Sequence, residues 1–150
     1  MIVWKTGNIF DSECQALVNP INCEGVMGKG LALEFKNRYP DMFKEYRLAC
    51  KRQSIRYGGD IWVWINHELF SDTKIIINFA TKEFWRNSSK IEWIERGLKN
   101  FIEKSSKLSL KNIAFPKLGC ANGRLDWENQ VKPLMIKYLE PLDIECEIYE

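Results

Sequence analysis

The sequence is short of what a metal centre is made from. It has one histidine, His67, and five cysteines (Cys14, Cys23, Cys50, Cys120 and Cys146), an odd number with no C-x-x-C pair. Zinc sites need clustered thiolates and imidazoles, so neither a metal nor a cofactor is expected. The same cysteines suggest reduced thiols and a cytoplasmic setting rather than a disulfide framework. No apolar run approaches the ~20 residues of a membrane span. The start, Met1 to Lys5, lacks the charged head and long apolar stretch of a signal peptide. Neither charge sign is in excess: 22 basic residues face 20 acidic ones, for a net charge of +2. A protein that coats nucleic acid shows a strong basic excess; one that touches only a modified end of a strand does not need it. There is no internal repeat, low-complexity segment or linker. The 150 residues are therefore expected to form one domain, residues 1–150, and a monomer. A chain of this size buries roughly 68–70% of its unfolded surface and needs no staple.

What is present is organised around Asn19 to Lys36. The apolar run Ala16-Leu17-Val18 feeds a polar turn, Asn19 to Asn22. Three glycines follow (Gly25, Gly28, Gly30), and a helical pattern starts at once. Strand, glycine turn and helix N-terminus together hold anions, because backbone approaches closely and free N–H groups point outward. The helix carries Leu31, Ala32, Leu33 and Phe35 and stops before Pro40, which can open a second helix at its first position.

Strands are expected at Met1 to Lys5, Cys14 to Asn19, Ile61 to Ile65, Ile75 to Phe79, Ile113 to Pro116 and Ile144 to Tyr149. Residues 66–73 read as a polar hairpin connection, with His67 exposed in it. Ser89-x-x-Glu92 has the form of a capping box for a helix to about Lys107. Asp126 opens a last helix through Leu139, with Pro133 forcing an irregular first turn. Trp4, Trp62 and Trp64 lie in strands and are expected in the core. Strands alternating with helices predict an α/β sandwich, with a mostly parallel sheet and ligands at the strands' carboxyl ends. A second glycine loop, Leu118 to Gly123, follows a strand directly. Both glycine loops should then rim one crevice.

The first loop is not a Walker loop, lacking the spacing and the metal-binding hydroxyl, and it is not G-x-G-x-x-G. It is a phosphate cradle or a tight turn. Lys29 contacts a phosphate or substrate strand, or is simply solvated. Lys82 follows an apolar strand; it is a surface lysine, or a partly desolvated amine of the kind that acts as a nucleophile. Asp126 caps a helix or works as a general acid–base. Trp85 and Arg86 stack on or pair with a nucleotide, or pack at the rim.

These motifs occur in order along nearly the whole chain: TGNI at 6–9, ALVN at 16–19 with Asn22, GVMGKGLA at 25–32 and PKLGC at 116–120. Together they resemble the macrodomain family, the ADP-ribose-binding fold. NFATKEFW at 78–85 and GRLDW at 123–127 are similar to the DarG antitoxin branch and its relative, the terminal ADP-ribose protein glycohydrolases.

The resemblance implies a three-layer α/β/α sandwich with a mixed, mostly parallel sheet. It implies a diphosphate held between the backbones of Gly28, Lys29, Gly30, Leu31 and Ala32 and of Gly119, Cys120, Ala121, Asn122 and Gly123, with Met27, Thr81 and Leu118 also in the ADP-ribose site. Asn22 would lie near the distal ribose, and Asn8 and Ile9 near the adenine. Where many macrodomains place an Asp for the adenine amino group, this sequence has Asn8, whose carbonyl accepts the same bond. Lys82 is implied as the nucleophile on the distal ribose. The glycohydrolase relatives use an acid in the second loop where this sequence has Gly123. The implied activity is release of ADP-ribose from thymidine in DNA, reversing the product of a DarT-like toxin. The alternatives are hydrolysis of ADP-ribosylated protein carboxylates or ADP-ribose phosphate, and a non-catalytic ADP-ribose-binding module. The DarG family's toxin-gripping domain has no counterpart here, so the chain is read as a stand-alone enzyme or a trimmed domain.

Overall fold

Short apolar runs become strands in this chain, and segments with apolar residues every third or fourth place become helices. The computed structural model describes residues 1–67 and 74–150. The described residues form strands β1 (Ile2–Lys5), β2 (Ala16–Ile21), β3 (Ile61–Ile65), β4 (Ile75–Ala80), β5 (Asn112–Phe115) and β6 (Glu145–Tyr149). They also form helices α1 (Gly30–Arg38), α2 (Pro40–Lys51), α3 (Ile91–Leu108) and α4 (Lys132–Leu139). The strands make one sheet in the order β1-β6-β5-β2-β4-β3. All neighbours are parallel except β3 on β4.

Alternation along the strands sends side chains to two faces. Ala16, Val18, Ile77, Phe79, Ile113 and Phe115 meet Ile94, Leu98 and Phe101 of α3 and Met135 and Leu139 of α4. Phe101 and Phe115 pack edge to face, with centroids 5.1 Å apart. Leu17, Ile21, Ile76, Ala80 and Ala114 meet Phe35 of α1 and Met42, Tyr46 and Ala49 of α2 on the other face. The result is a three-layer α/β/α sandwich around a mixed, mostly parallel sheet.

The topology itself opens a cleft. β2 and β5 are neighbours at the centre, and the chain leaves them in opposite directions: from β2 towards β4 and β3, from β5 towards β6. Such a switch point leaves a crevice at the carboxyl ends of the strands. β5 pairs with β2 only at Ala16 and Leu17, whereas β4 pairs with all of it, Ala16 to Ile21. β2 therefore runs through Pro20 and Ile21, which sequence alone placed in a turn. A proline is tolerated there because no β5 partner needs its missing N–H.

Other local expectations also shift. Ser89 does not cap α3: the N-cap is Lys90, with no side-chain cap bond. Instead the Ser89 N–H donates to the Gly123 carbonyl (2.9 Å), tying α3's entrance to the second glycine loop. Asp126 does cap, accepting from the Asn129 N–H at 3.1 Å. One π-helical turn, Trp127–Val131, precedes regular α4, which absorbs Pro133 in its first turn. Trp4 is 42% exposed on the edge strand, with the Lys132 ammonium over its ring, rather than in the core. Trp62 and Trp64 are half-buried. Antiparallel β3 and β4 agree with the expected hairpin, and His67 is exposed. The middle of that connection, residues 68–73, lies outside the described residues.

Candidate active site

Three loops leave the carboxyl ends of β2, β4 and β5 and enclose a cleft of about 380 Å³. The first runs from Asn22 to Lys29. Asn22 shapes it: Nδ2 donates to the Val26 carbonyl (2.8 Å), and Oδ1 accepts from the Glu24 N–H (3.0 Å) and from Tyr46 Oη (2.9 Å). The chain then enters α1 at Gly30, whose φ of +62° suits glycine. No side chain caps α1. Gly30, Leu31 and Ala32 line the cleft, so first-turn N–H groups are available to an anion there.

The second glycine loop forms the opposite wall. A Cβ on Gly30 would come within 2.9 Å of Asn122 Nδ2, so the two loops meet across the cleft. A Cβ on Gly123 would lie 2.3 Å from the Gly119 carbonyl oxygen and 2.3 Å from Ser89 Oγ. The turn is closed too tightly for any side chain at 123.

The third loop carries Lys82 just past the end of β4. Its backbone is fixed: the Thr81 and Lys82 N–H groups both donate to the Ile21 carbonyl (3.0 and 3.3 Å). The Cys23 N–H donates to the Glu83 carbonyl (3.0 Å), and the Trp85 N–H to Glu24 Oε1 (2.9 Å). The first and third loops are thus clamped together. The half-buried Lys82 ammonium donates to the Trp85 carbonyl at 3.1 Å and lines the cleft. Burial first, then the nearby Lys29 and Arg124 cations, push its pKa below the ordinary lysine value of 10.5. Cys120, also lining the cleft, goes the other way: burial raises its thiol to about 11, against the pull of Lys117. The cleft thus offers an amine that loses its proton more readily than an ordinary lysine, beside a thiol that stays protonated and inert at neutral pH.

Of the residues expected at a site, Asn22, Met27, Gly28, Lys29, Gly30, Leu31, Ala32, Thr81, Lys82, Gly119, Cys120, Ala121, Asn122 and Gly123 line this one cleft. Leu118 does not; it is fully buried beneath it in the core. Asn8 and Ile9 do not line it either. Asn8 Oδ1 accepts from the Phe10 N–H (3.0 Å) and caps the 3-10 turn Ile9–Asp11, and Ile9 is buried. Pro20, Ile21, Val26 and Lys117 line the cleft but were not expected to. Lys117 sits in the PKLGC motif, the only sequence signal that could have marked it. Trp85 stands at the lip, 42% exposed, with the Arg86 guanidinium 4.9 Å from its ring centroid. Among the described residues no three of His, Cys, Asp and Glu come together as metal ligands.

A strand-end cleft walled by two glycine loops is a family trait, and residues 18–134 match the Macro domain family model. The chain is a macrodomain. This macrodomain is 42% identical over 149 residues to a protein of Mycobacterium tuberculosis named DNA ADP-ribosyl glycohydrolase. The match covers 99% of the chain and 42% of that protein. Among solved structures, the macrodomain of Mycobacterium tuberculosis DarG superposes with a TM-score of 0.93 at 42% identity, covering 99% of this chain and 97% of that one. Thermosipho africanus DarTG in complex with ADP-ribose superposes with a TM-score of 0.91 at 34% identity, covering 99% of this chain and 41% of that one. The macrodomain spans about two-fifths of the length of the curated relatives whose names include DNA ADP-ribosyl glycohydrolase. No described helix is long and apolar enough to cross a membrane.

Proposed function

We propose that this macrodomain is a mono-ADP-ribosyl glycohydrolase that releases ADP-ribose from thymidine in DNA. The observation that carries the proposal is Lys82: an amine with a depressed pKa, held at the end of β4 inside the cleft. The relatives named DNA ADP-ribosyl glycohydrolase support the choice of DNA. In such a cell the substrate would be the product of a DarT-like DNA ADP-ribosyl transferase. The domain acts as a cytoplasmic monomer without metal or cofactor.

The diphosphate lies between the glycine loops, where the first turn of α1 faces its charge. That fixes the distal ribose against Lys82, and positioning supplies much of the rate. The neutral Lys82 Nζ attacks the anomeric carbon. A carbon–nitrogen bond forms, the bond to the base breaks, and the base leaves with the electron pair and takes a proton from solvent. Water then adds to the same carbon, the carbon–lysine bond breaks, and free ADP-ribose and the amine are regenerated.

The test offers wild type and Lys82→Ala three partners: thymidine-modified DNA, ADP-ribosylated protein and free ADP-ribose. Wild type is expected to release ADP-ribose from the DNA, and Lys82→Ala to be slower by about a hundredfold or more with ADP-ribose still bound. Equal rates for the two proteins would remove Lys82 from the mechanism. Binding of ADP-ribose without release from any conjugate would make the domain a reader instead.

A further inference from the structure

A second groove lies behind the first glycine loop. It measures about 310 Å³, and residues Val26, Met27 and Gly28 line both it and the main cleft. The loop is therefore a thin wall with the cleft on one side and the groove on the other. The far side of the groove is α2, which presents Phe43, Arg47 and Lys51, with Lys36 of α1 beside them. Phe43, Arg47 and Lys51 are four residues apart in turn, so they form one stripe rising about 6 Å per step.

This stripe is not neutralised. Among the described residues, none of Lys36, Arg47 and Lys51 forms a salt bridge. Arg47 and Lys51 are like charges four apart on a helix, which costs stability when nothing offsets it. The one acid lining the groove, Glu24, already accepts the Trp85 N–H at 2.9 Å. That bond also marks where the groove meets the third loop and Lys82. The Lys36 ammonium sits 4.5 Å and the Arg47 guanidinium 5.8 Å from the Phe43 ring centroid. An aromatic ring among uncompensated cations, along a groove, is how proteins follow a single strand without reading its sequence.

We propose that this groove is a subsite for the phosphodiester backbone of single-stranded DNA flanking the modified base. It rests on the proposed activity and adds where the strand goes: out past Lys82, over the 24–28 wall, and along α2. The modest net charge of the whole chain is consistent with this, since the basic surface needed is one stripe.

The test uses the triple variant Lys36→Gln/Arg47→Gln/Lys51→Gln, whose long neutral side chains keep the packing of the stems, and thermal melting verifies that it is folded. Wild type and variant are compared on an ADP-ribosylated thymidine dinucleotide, an ADP-ribosylated 20-mer and an ADP-ribosylated protein. The variant should release ADP-ribose from the dinucleotide at the wild-type rate. It should bind the 20-mer more weakly by about tenfold or more, with a log–log salt dependence shallower by about 2, since each phosphate contact contributes roughly 0.7 on single strands. Identical affinity and salt dependence on the 20-mer would overturn the groove and leave the activity standing. A wild type that releases nothing from either DNA would overturn the activity and the groove with it. Should the variant be slowed on modified protein but not on DNA, the groove reads a peptide and the proposal is wrong.

Discussion

Lys82 is tuned by residues that lie far from it in the chain. Lys29 comes from the wall loop and Arg124 from the turn after the second glycine loop, yet both depress its pKa after burial has done so. The attacking form is the neutral amine, so the kcat/KM–pH profile should rise with pH and level off above the folded pKa, which lies below 10.5. Removing a neighbouring cation raises that pKa. Arg124→Ala should therefore shift the rising limb to higher pH and lower the rate at pH 7; an unmoved limb would show that Arg124 is too screened to matter. Position after an apolar strand made Lys82 a candidate in the sequence, and the family resemblance of the stretch at 78–85 implied its role. Its partners were not legible, because only folding brings three loops together. Gly123 makes a second test. Restoring an acid there, Gly123→Asp, puts a Cβ within 2.3 Å of the Gly119 carbonyl. It should destabilise the fold by about 1–3 kcal/mol in chemical denaturation and gain no activity.

At the scale of elements, caps and crossings decide what the sequence pattern leaves open. Asp126 is exposed, and its bonds from Asn129 hold its carboxyl below the ordinary carboxylate range. It is ionised at neutral pH and already engaged, which suits a cap and not a proton donor. Asp126→Ala should lower Tm by a few degrees while kcat/KM stays within about twofold; a large loss of kcat would return Asp126 to the chemistry. The irregular turn before α4 was legible because Pro133 forbids a regular one. Ser89 was misread because a local motif, Ser-x-x-Glu, competes with a tertiary contact: the Gly123 carbonyl claims the Ser89 N–H. Its Oγ is left buried without a partner among the described residues. The end of β2 was missed for a similar reason. Pro20 looks like a strand terminator until the sheet shows that β5 has already parted from β2.

For the whole molecule, the alternation of strands and helices was enough to predict an α/β sandwich with a mostly parallel sheet, the family resemblance supplied its three layers, and the glycine loops after β2 and β5 were enough to predict a shared crevice. The polar connection at 66–73 also marked the antiparallel β3–β4 pair, but the strand order was not legible, since no local pattern encodes which other strands become neighbours. One long-range tie also governs acid stability. Burial acts to raise the pKa of Glu147, but hydrogen bonds from Ser12, Cys14 and Tyr149 and the Lys5 ammonium outweigh it, and its carboxyl lies below 4.5. The depressed folded value means its contribution is present above the unfolded pKa and is lost as pH falls through the folded one. Glu147→Gln should cost about 1–2 kcal/mol at pH 7 and, in urea titrations, flatten the acid side of the stability profile, where pH falls through the depressed folded pKa. The strand order has a consequence in time as well as space. β6 lies between β1 and β5, so β1 has no ladder partner until β6 exists. On a ribosome the first strand made waits for the last. Every residue lining the cleft precedes residue 124, so the whole lining is synthesised before β1 gains its ladder partner.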